Sequence, residues 1–434
     1  MIAARPDSKR ELTEHKPDPA ELAAKSADEL SVAELEALSV TDREIWENGP
    51  PHELFKAMRG KCPVQWSEIN EYPDEEGFWS VTRADDIREV SLDWQTYSSG
   101  KGGISGLTHA VPLELQQAML IAMDPPKHDR LKALFQRGFT PKRIAEHEDV
   151  IRAIAANVLD GVAERGECDL VTDVAQPVVS RVIGSFLGVP EADDEMWATL
   201  VNSTLGFGDD DLNPGGIDQI LDEDIPKIFE RCREMIAERR ENPTDDLTSV
   251  LVHADIDGDK LDEHEIVMGF FLLAAAGNDS TKATYCSGMR ALIEHPEEMR
   301  KLVEDPSLIE GAVEECLRMY PAFAHFRRTA TEDAEIGGCP VHEGDKVLMW
   351  YLSSNRDETR YEDPDRFDVL RNPEHQAFGA GGRHFCLGAA LARLELKILF
   401  EETLKRFPQM ELAGTPEPAV SAFLNQLKTL PVRW

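Results

Sequence analysis

Long segments of helical period dominate the chain, broken by a few short runs of strand character. Apolar residues recur three and four apart over 145–164, 222–241, 262–294, 308–319 and 387–405, which predicts helices with a buried face. Two runs, "GFWSVTR" at 77–83 and "DKVLMWYL" at 345–352, are rich in β-branched and aromatic residues and predict strands. Residues 1–40 are polar and alanine-rich and read as a loosely attached leader with some helix. The rest, 41–434, shows no repeat and no linker that would divide it. The expectation is one large domain, mainly α with small β-sheets.

Two places break the pattern. The first lies in the predicted helix 262–294, which is apolar on every side over the eleven residues 266–276. A helix of that kind is buried. It then turns polar at Gly277, Asn278, Asp279, Ser280 and Thr281. One explanation is that Asp279 or Ser280 caps a new helix. The register, however, continues to Arg290, which favours a single helix with polar groups inserted for function.

The second is "AFGAGGRHFCLGAALARLE" at 377–395, where four glycines surround Cys386 ahead of a helix whose apolar face carries Leu387, Leu391, Leu394 and Ile398. Glycine in an ordered segment costs conformational entropy, so such a cluster implies a sharp turn or a close approach. Unpaired N–H groups and the positive helix end favour a thiolate at Cys386. A buried, inert cysteine in a glycine-rich turn is the plain alternative. A single cysteine gives little support to tetrahedral zinc, despite His384 two residues earlier. A planar macrocycle with one axial thiolate suits the segment better, with the glycines against its face and Phe378 beside the sulfur.

Composition narrows the class. The 46 basic and 82 acidic residues leave a formal charge of −36, which argues against nucleic acid or an anionic membrane as partner. One basic island stands out at 123–143, with Lys127, Arg130, Lys132, Arg137, Lys142 and Arg143 against Asp124 and Asp129. Seven scattered cysteines without a CxxC indicate a reducing compartment rather than a disulfide scaffold. The charged opening lacks a signal peptide's apolar core, and 266–276 is half a membrane span. A cytoplasmic monomer without a membrane anchor is expected.

The phrase "FGAGGRHFCLG" resembles the heme-binding segment of the cytochrome P450 family, through Phe378, Gly379, Gly381, Gly382, His384, Cys386 and Gly388. It departs from the commonest bacterial spacing in one respect: Phe378 lies eight residues before the cysteine rather than seven. The resemblance extends over roughly 45–434. "VEECLRMYP" is similar to the family's Glu-x-x-Arg helix, which implies a structural pair, Glu315 and Arg318, joined by Arg371 from "DPDRFDVLRNP". "FRRTATED" and "DPPKHDRLK" resemble the segments that hold the heme propionates, implying Arg328, His128 and Lys132 alongside His384, with Lys132 standing where an arginine is usual. "AAAGNDSTK" resembles the oxygen-binding helix, implying that Asp279 and Ser280, with Thr281 next to them, deliver protons; Ser280 replaces the usual threonine.

The implied protein has a P450 fold with heme b as cofactor and Cys386 as the iron ligand. It would be a monooxygenase using O2 and electrons from a ferredoxin and its NAD(P)H-dependent reductase. No flavin or iron–sulfur motif is seen in the chain. The ferredoxin, being acidic, would dock on a proximal face made positive by the 127–143 island with Arg383, Arg393 and Lys397. Candidate pocket residues by family position are Leu272, Ala275, Ala276, Ala322, Phe323, Phe326 and Phe423, together with "GGIS" at 102–105. All are apolar or small, so the substrate is expected to be lipophilic: a steroid, terpenoid or branched lipid. Two other readings stay open, a heme-thiolate binder or sensor without turnover and a peroxide-driven peroxygenase.

Overall fold

The computed structural model describes residues 18–434 apart from 70–74, 107–111, 206–208, 210, 213 and 257. A mixed sheet is built from β1 (Val64–Ser67), β2 (Phe78–Val81), β3 (Tyr97–Ser98), β4 (His325–Ala330) and β5 (Lys346–Trp350), in the order β1-β2-β5-β4-β3. β5 runs parallel to β2 and antiparallel to β4, with Arg328 opposite Val347. Side chains alternate along β4, so Phe326 and Arg328 share one face and Arg327 takes the other.

The helices that carry the argument are α1 (Lys127–Phe135), α2 (Glu148–Val162), α3 (Gln176–Leu187), α4 (Ile225–Glu241), α5 (Glu263–Glu294), α6 (Ile309–Met319) and α7 (Ala389–Arg406). Each predicted helix is present with ends shifted by a few residues. The longest shift is at 145–164, where a short helix Pro141–Glu146 precedes α2. α3, preceded by a π-helical turn at Leu170–Ala175, was not among the segments singled out from the sequence, although Val178, Val179, Val182, Ile183, Phe186 and Leu187 recur on one face. The stretch Leu170–Leu187 is long and apolar enough to cross a membrane, but most of it is buried inside the fold.

α5 is one unbroken helix of 32 residues, about 48 Å at 1.5 Å per residue. Asp262 caps it, accepting from the Glu265 N–H, while the Glu265 side chain returns to the Asp262 N–H. Neither Asp279 nor Ser280 starts a new helix. The main core surrounds α5, with Phe270, Tyr285 and Met289 wholly buried among residues of α3, α4, α6 and α7.

The leader differs from the expectation of a loose attachment. Residues 1–17 lie outside the described residues, but from 18 onward Leu22, Leu30, Leu35 and Leu38 are buried in a second core with Trp46, Phe55 and Trp350. A few leucines spaced through polar sequence suffice to fasten the segment, since each buried leucine is worth about 1.5–3 kcal/mol.

Candidate active site

One pocket brings together the two segments that broke the sequence pattern. Cys386, Phe378, Gly379, His384 and Gly388 line it from the glycine-rich loop, and Arg328, His128 and Lys132 line it from β4 and α1. From α5 come Leu272, Ala276, Ser280 and Thr281, and from the α6–β4 connection and β4 come Ala322, Phe323 and Phe326.

The loop is shaped by hydrogen bonds that the protein itself supplies. The Cys386 N–H donates to the Phe378 carbonyl at 3.0 Å, and the Gln376 N–H donates to Asn355 Oδ1 at 2.8 Å. Gly379 and Gly382 have φ of +95° and +78°, and a Cβ at Gly382 would stand 2.7 Å from the Ser91 carbonyl oxygen. α7 starts at Ala389 with Gly388 in the cap position, so Cys386 sits just ahead of the helix end. Cys386 has accessible surface, yet protein crowds its sulfur, because that surface opens into the pocket. Burial pushes its thiol pKa up, opposed by a Gly388 N–H and by the cations Lys132 and Arg393.

A cluster of nitrogen donors occupies one side. Arg328 is buried and makes no ion pair among the described residues; its Nη1 donates only to the Arg327 carbonyl, 2.7 Å away. The His128 and His384 rings lie 4.4 Å apart between centroids. His128 Nδ1 bonds Asp129 at 3.0 Å, and His384 Nε2 is buried with no partner among the described residues. Burial first, then Arg328, His128 and Lys132, press the His384 pKa down to about 2. The Lys132 ammonium bonds the carbonyls of Arg383 and Phe385, the latter at 3.2 Å, so it braces the cysteine loop as it faces the pocket.

Helical spacing sorts the α5 residues. Leu272, Ala276, Ser280 and Thr284 are four apart and line the pocket. Ala275 and Asp279, also four apart, occupy the neighbouring face and do not line it. Phe423 is likewise absent from the wall and buttresses it instead, with its ring 5.3 Å from Phe323 and 5.8 Å from Phe326. None of 102–105 lines the pocket either. Ser280 Oγ donates to the Ala276 carbonyl one turn back at 2.6 Å, a common resting state for a helical serine. Asp279 is fully buried, with Oδ1 at 2.7 Å from Lys282 Nζ and 3.1 Å from Asn278 Nδ2.

The structural triad lies behind the loop. Arg318 grips Glu315 with two bonds of 2.7 Å, both side chains fully buried, and Arg371 Nε reaches Glu315 Oε1 at 3.2 Å. Arg318 also donates to the carbonyls of Asn355 and Pro364, so the pair organises the 355–376 meander that enters the loop.

Sequence reasoning missed two features. Glu314 bonds Arg393 on α7 at 2.6 and 2.8 Å and His375 at 3.1 Å, and the Arg393 guanidinium covers the Phe378 ring at 4.6 Å. Burial raises the Glu314 pKa, but the bonds from Arg393 and His375 outweigh it and hold the carboxyl at about 2. Glu395 lines the pocket from α7, and burial lifts its carboxyl pKa to about 8 against the opposing hydrogen bond from Thr281. Its sequence signal was available: Glu395 falls in the apolar stripe with Leu391 and Ile398.

The expected positive face is corrected by the ion pairs. Arg130 is held by Asp259 and Glu265, Lys142 by Glu146, Arg143 by Asp245, Arg383 by Asp129, Arg393 by Glu314 and Lys397 by Glu310. Among described residues, Lys127, Lys132 and Arg137 make no ion pair. An acidic protein neutralises its own cations, which residue counting along one stretch does not reveal.

Known proteins place this arrangement. The cytochrome P450 family profile matches residues 215–426. The chain is 34% identical to a methyl-branched lipid omega-hydroxylase of Mycobacterium tuberculosis, over 94% of this chain and 96% of that protein. It is 32% identical to a steroid C26-monooxygenase of Rhodococcus jostii, over 92% and 84%. Among solved structures, a Mycobacterium marinum cytochrome P450 in complex with pseudoionone superposes with a TM-score of 0.83 at 36% identity, over 88% of this chain and 94% of that one. The chain belongs to the cytochrome P450 family. It is a monooxygenase, and its cofactor is heme b.

The pocket suits that cofactor on its own chemistry. Heme b carries two carboxylates, and Arg328 is a buried cation that makes no ion pair among the described residues, beside a His384 nitrogen with no partner there. Leaving such groups unpaired is costly, and a propionate relieves both.

Proposed function

We propose that Cys386 would ligate the heme iron and that the enzyme hydroxylates a lipophilic substrate with O2 and electrons from a ferredoxin in the cytoplasm. The observation that carries the reading is the shared pocket of Cys386 and the Ser280–Thr281 stretch, which puts a sulfur ligand and an alcohol pair into one apolar chamber. Heme b, once bound, supplies an iron that activates dioxygen, and a thiolate ligand favours that chemistry.

The chain's own residues do the remainder. Arg328, His128 and His384 hold the propionates, and Lys132 supports the loop with a weaker hold on them. The Gly388 N–H and the Lys132 and Arg393 cations stabilise negative charge on Cys386. Asp279 passes protons toward Ser280, and Thr281 positions a second hydroxyl next to it. Leu272, Ala276, Ala322, Phe323 and Phe326 exclude water and grip apolar substrate. With the ionisable groups gathered near the loop, α1 and α7, the chamber favours a branched lipid or steroid over a charged ligand. The relatives' names point the same way, and they suggest attack at a terminal carbon of a branched chain.

The α5 residues in the wall include no arginine, which leaves the peroxygenase reading without support. The first test is spectroscopic. Cys386→Ala should abolish the red-shifted Soret band of the reduced, carbon-monoxide-treated protein; an unchanged band refutes the ligand assignment. Titration with steroids, terpenoids and branched fatty acids should then shift the heme to high spin for the preferred class, and a panel without any shift refutes the substrate class.

A further inference from the structure

Behind the pocket wall, α5 and α3 share a closed circuit of hydrogen bonds. Lys282 Nζ donates to Asp279 Oδ1 at 2.7 Å and to Gln176 Oε1 at 2.9 Å. Gln176 Nε2 donates to Ser180 Oγ at 2.8 Å, Ser180 Oγ donates to Asn278 Oδ1 at 2.8 Å, and Asn278 Nδ2 returns to Asp279 Oδ1 at 3.1 Å. The donations run in two arms that start at Lys282, one direct and one through Gln176, Ser180 and Asn278, and both end on Asp279 Oδ1. Helical spacing makes it possible. Gln176 and Ser180 are one turn apart on α3, and Asn278 and Lys282 are one turn apart on α5.

The ring has a consequence for Asp279. Both donors fall on Oδ1, while Oδ2 is buried with no partner among the described residues. The carboxylate's two oxygens are therefore no longer equivalent: one is committed to the ring, and only the other is available for a proton. Asp279 is also the one member of the Asp279–Thr281 triplet that does not line the pocket. Its reach toward Ser280 depends on how firmly the ring holds it. We propose that Lys282, anchored by Gln176 from α3, is a positioning residue that holds Asp279 by Oδ1 and so fixes which oxygen serves the proton relay. This rests on the relay assigned to Asp279 above.

A purely structural tie between helices would alter stability and leave proton chemistry untouched, so the test reads protons. Holoprotein of Lys282→Met, Lys282→Arg, Gln176→Leu and Asp279→Asn is compared with wild type. In turnover, Lys282→Met and Gln176→Leu should raise peroxide per NAD(P)H and enlarge the solvent isotope effect. The expected rate loss is about 10-fold, less than the roughly 10²–10⁴-fold expected from losing an acid outright. Lys282→Arg should restore both, and the spin-state titration with substrate should not move. Should Lys282→Met fail to fold, Gln176→Leu decides, because it leaves the ion pair in place. Wild-type coupling and isotope effect in Gln176→Leu, with Asp279→Asn impaired, overturns the positioning role. Wild-type behaviour of Asp279→Asn itself instead overturns the relay beneath it.

Discussion

Glu395 is a carboxylic acid inside an apolar stripe, and its position gives it a measurable signature. Burial lifts its pKa to about 8, so the folded protein keeps a proton that the unfolded chain gives up near the ordinary value of 4.5. Between those limits the native state binds more protons than the unfolded state, and stability falls as pH rises. Every tenfold difference in proton affinity between the two states is worth about 1.4 kcal/mol. Glu395→Gln should flatten the decline in melting temperature between pH 5 and about 8, and a slope equal to wild type would refute a neutral Glu395. Ser280 offers a second residue-scale prediction. Removing its hydroxyl with Ser280→Ala should raise peroxide released per NAD(P)H, with the substrate spin shift unaltered; unchanged coupling removes Ser280 from proton delivery. What the sequence made legible at this scale was the set of residues embedded in contiguous phrases. Cys386, His384, Ser280 and Arg328 all fell in the pocket wall. Ala275 and Phe423 did not, because one helical step or one layer of packing separates a wall residue from its buttress, and spacing alone does not fix that rotation. Glu395 escaped notice because a glutamate near a lysine in a helix ordinarily faces water.

The elements that hold the loop are tied by charges with no access to solvent. Glu315 and Arg318 are fully buried, and breaking such a pair from one side leaves an uncompensated charge costing about 3–5 kcal/mol. Glu315→Gln should therefore lower the melting temperature sharply and reduce heme content. Arg371→Ala, which removes a 3.2 Å contact to Glu315 and bonds to the Glu362, Asp363 and Arg366 carbonyls but leaves the Glu315–Arg318 pair intact, should cost less by the same two measurements. Equal losses would show that the pair and its third member act as one unit. Element positions were largely legible, since amphipathic period defines α2, α4 and α6, the glycine-rich loop announces α7, and uniform apolarity marks α5. The clamp of Glu314, Arg393 and His375 was not, because its members are distant in sequence and each taken alone resembles a surface charge. α3 was not singled out although its buried pairs Val178–Val179, Val182–Ile183 and Phe186–Leu187 repeat at helical spacing.

At the scale of the molecule, the formal charge of −36 and the pairing of most proximal cations change how an electron donor must be received. With Arg383 and Lys397 already matched to carboxylates, salt should weaken docking less than a positive face would imply. Apolar contact becomes the larger contributor. Phe385, next to Cys386, is 41% exposed, and Leu92, which lies against Gly381, is 48% exposed. Phe385→Ser should slow reduction by the proposed ferredoxin donor more than Arg137→Glu does, measured by stopped-flow at several ionic strengths. The reverse order would restore charge as the principal attraction.

The bonds that shape the cysteine loop, from the Phe378 carbonyl, from Asn355 and from Lys132, all run between parts of the polypeptide. They tie the loop to the 355–376 segment and to α1, with the Arg393 guanidinium laid over the Phe378 ring, so the polypeptide's own contacts are expected to hold the loop's course. Amides of 378–388 should resist deuterium exchange in protein expressed without heme nearly as well as in the loaded enzyme.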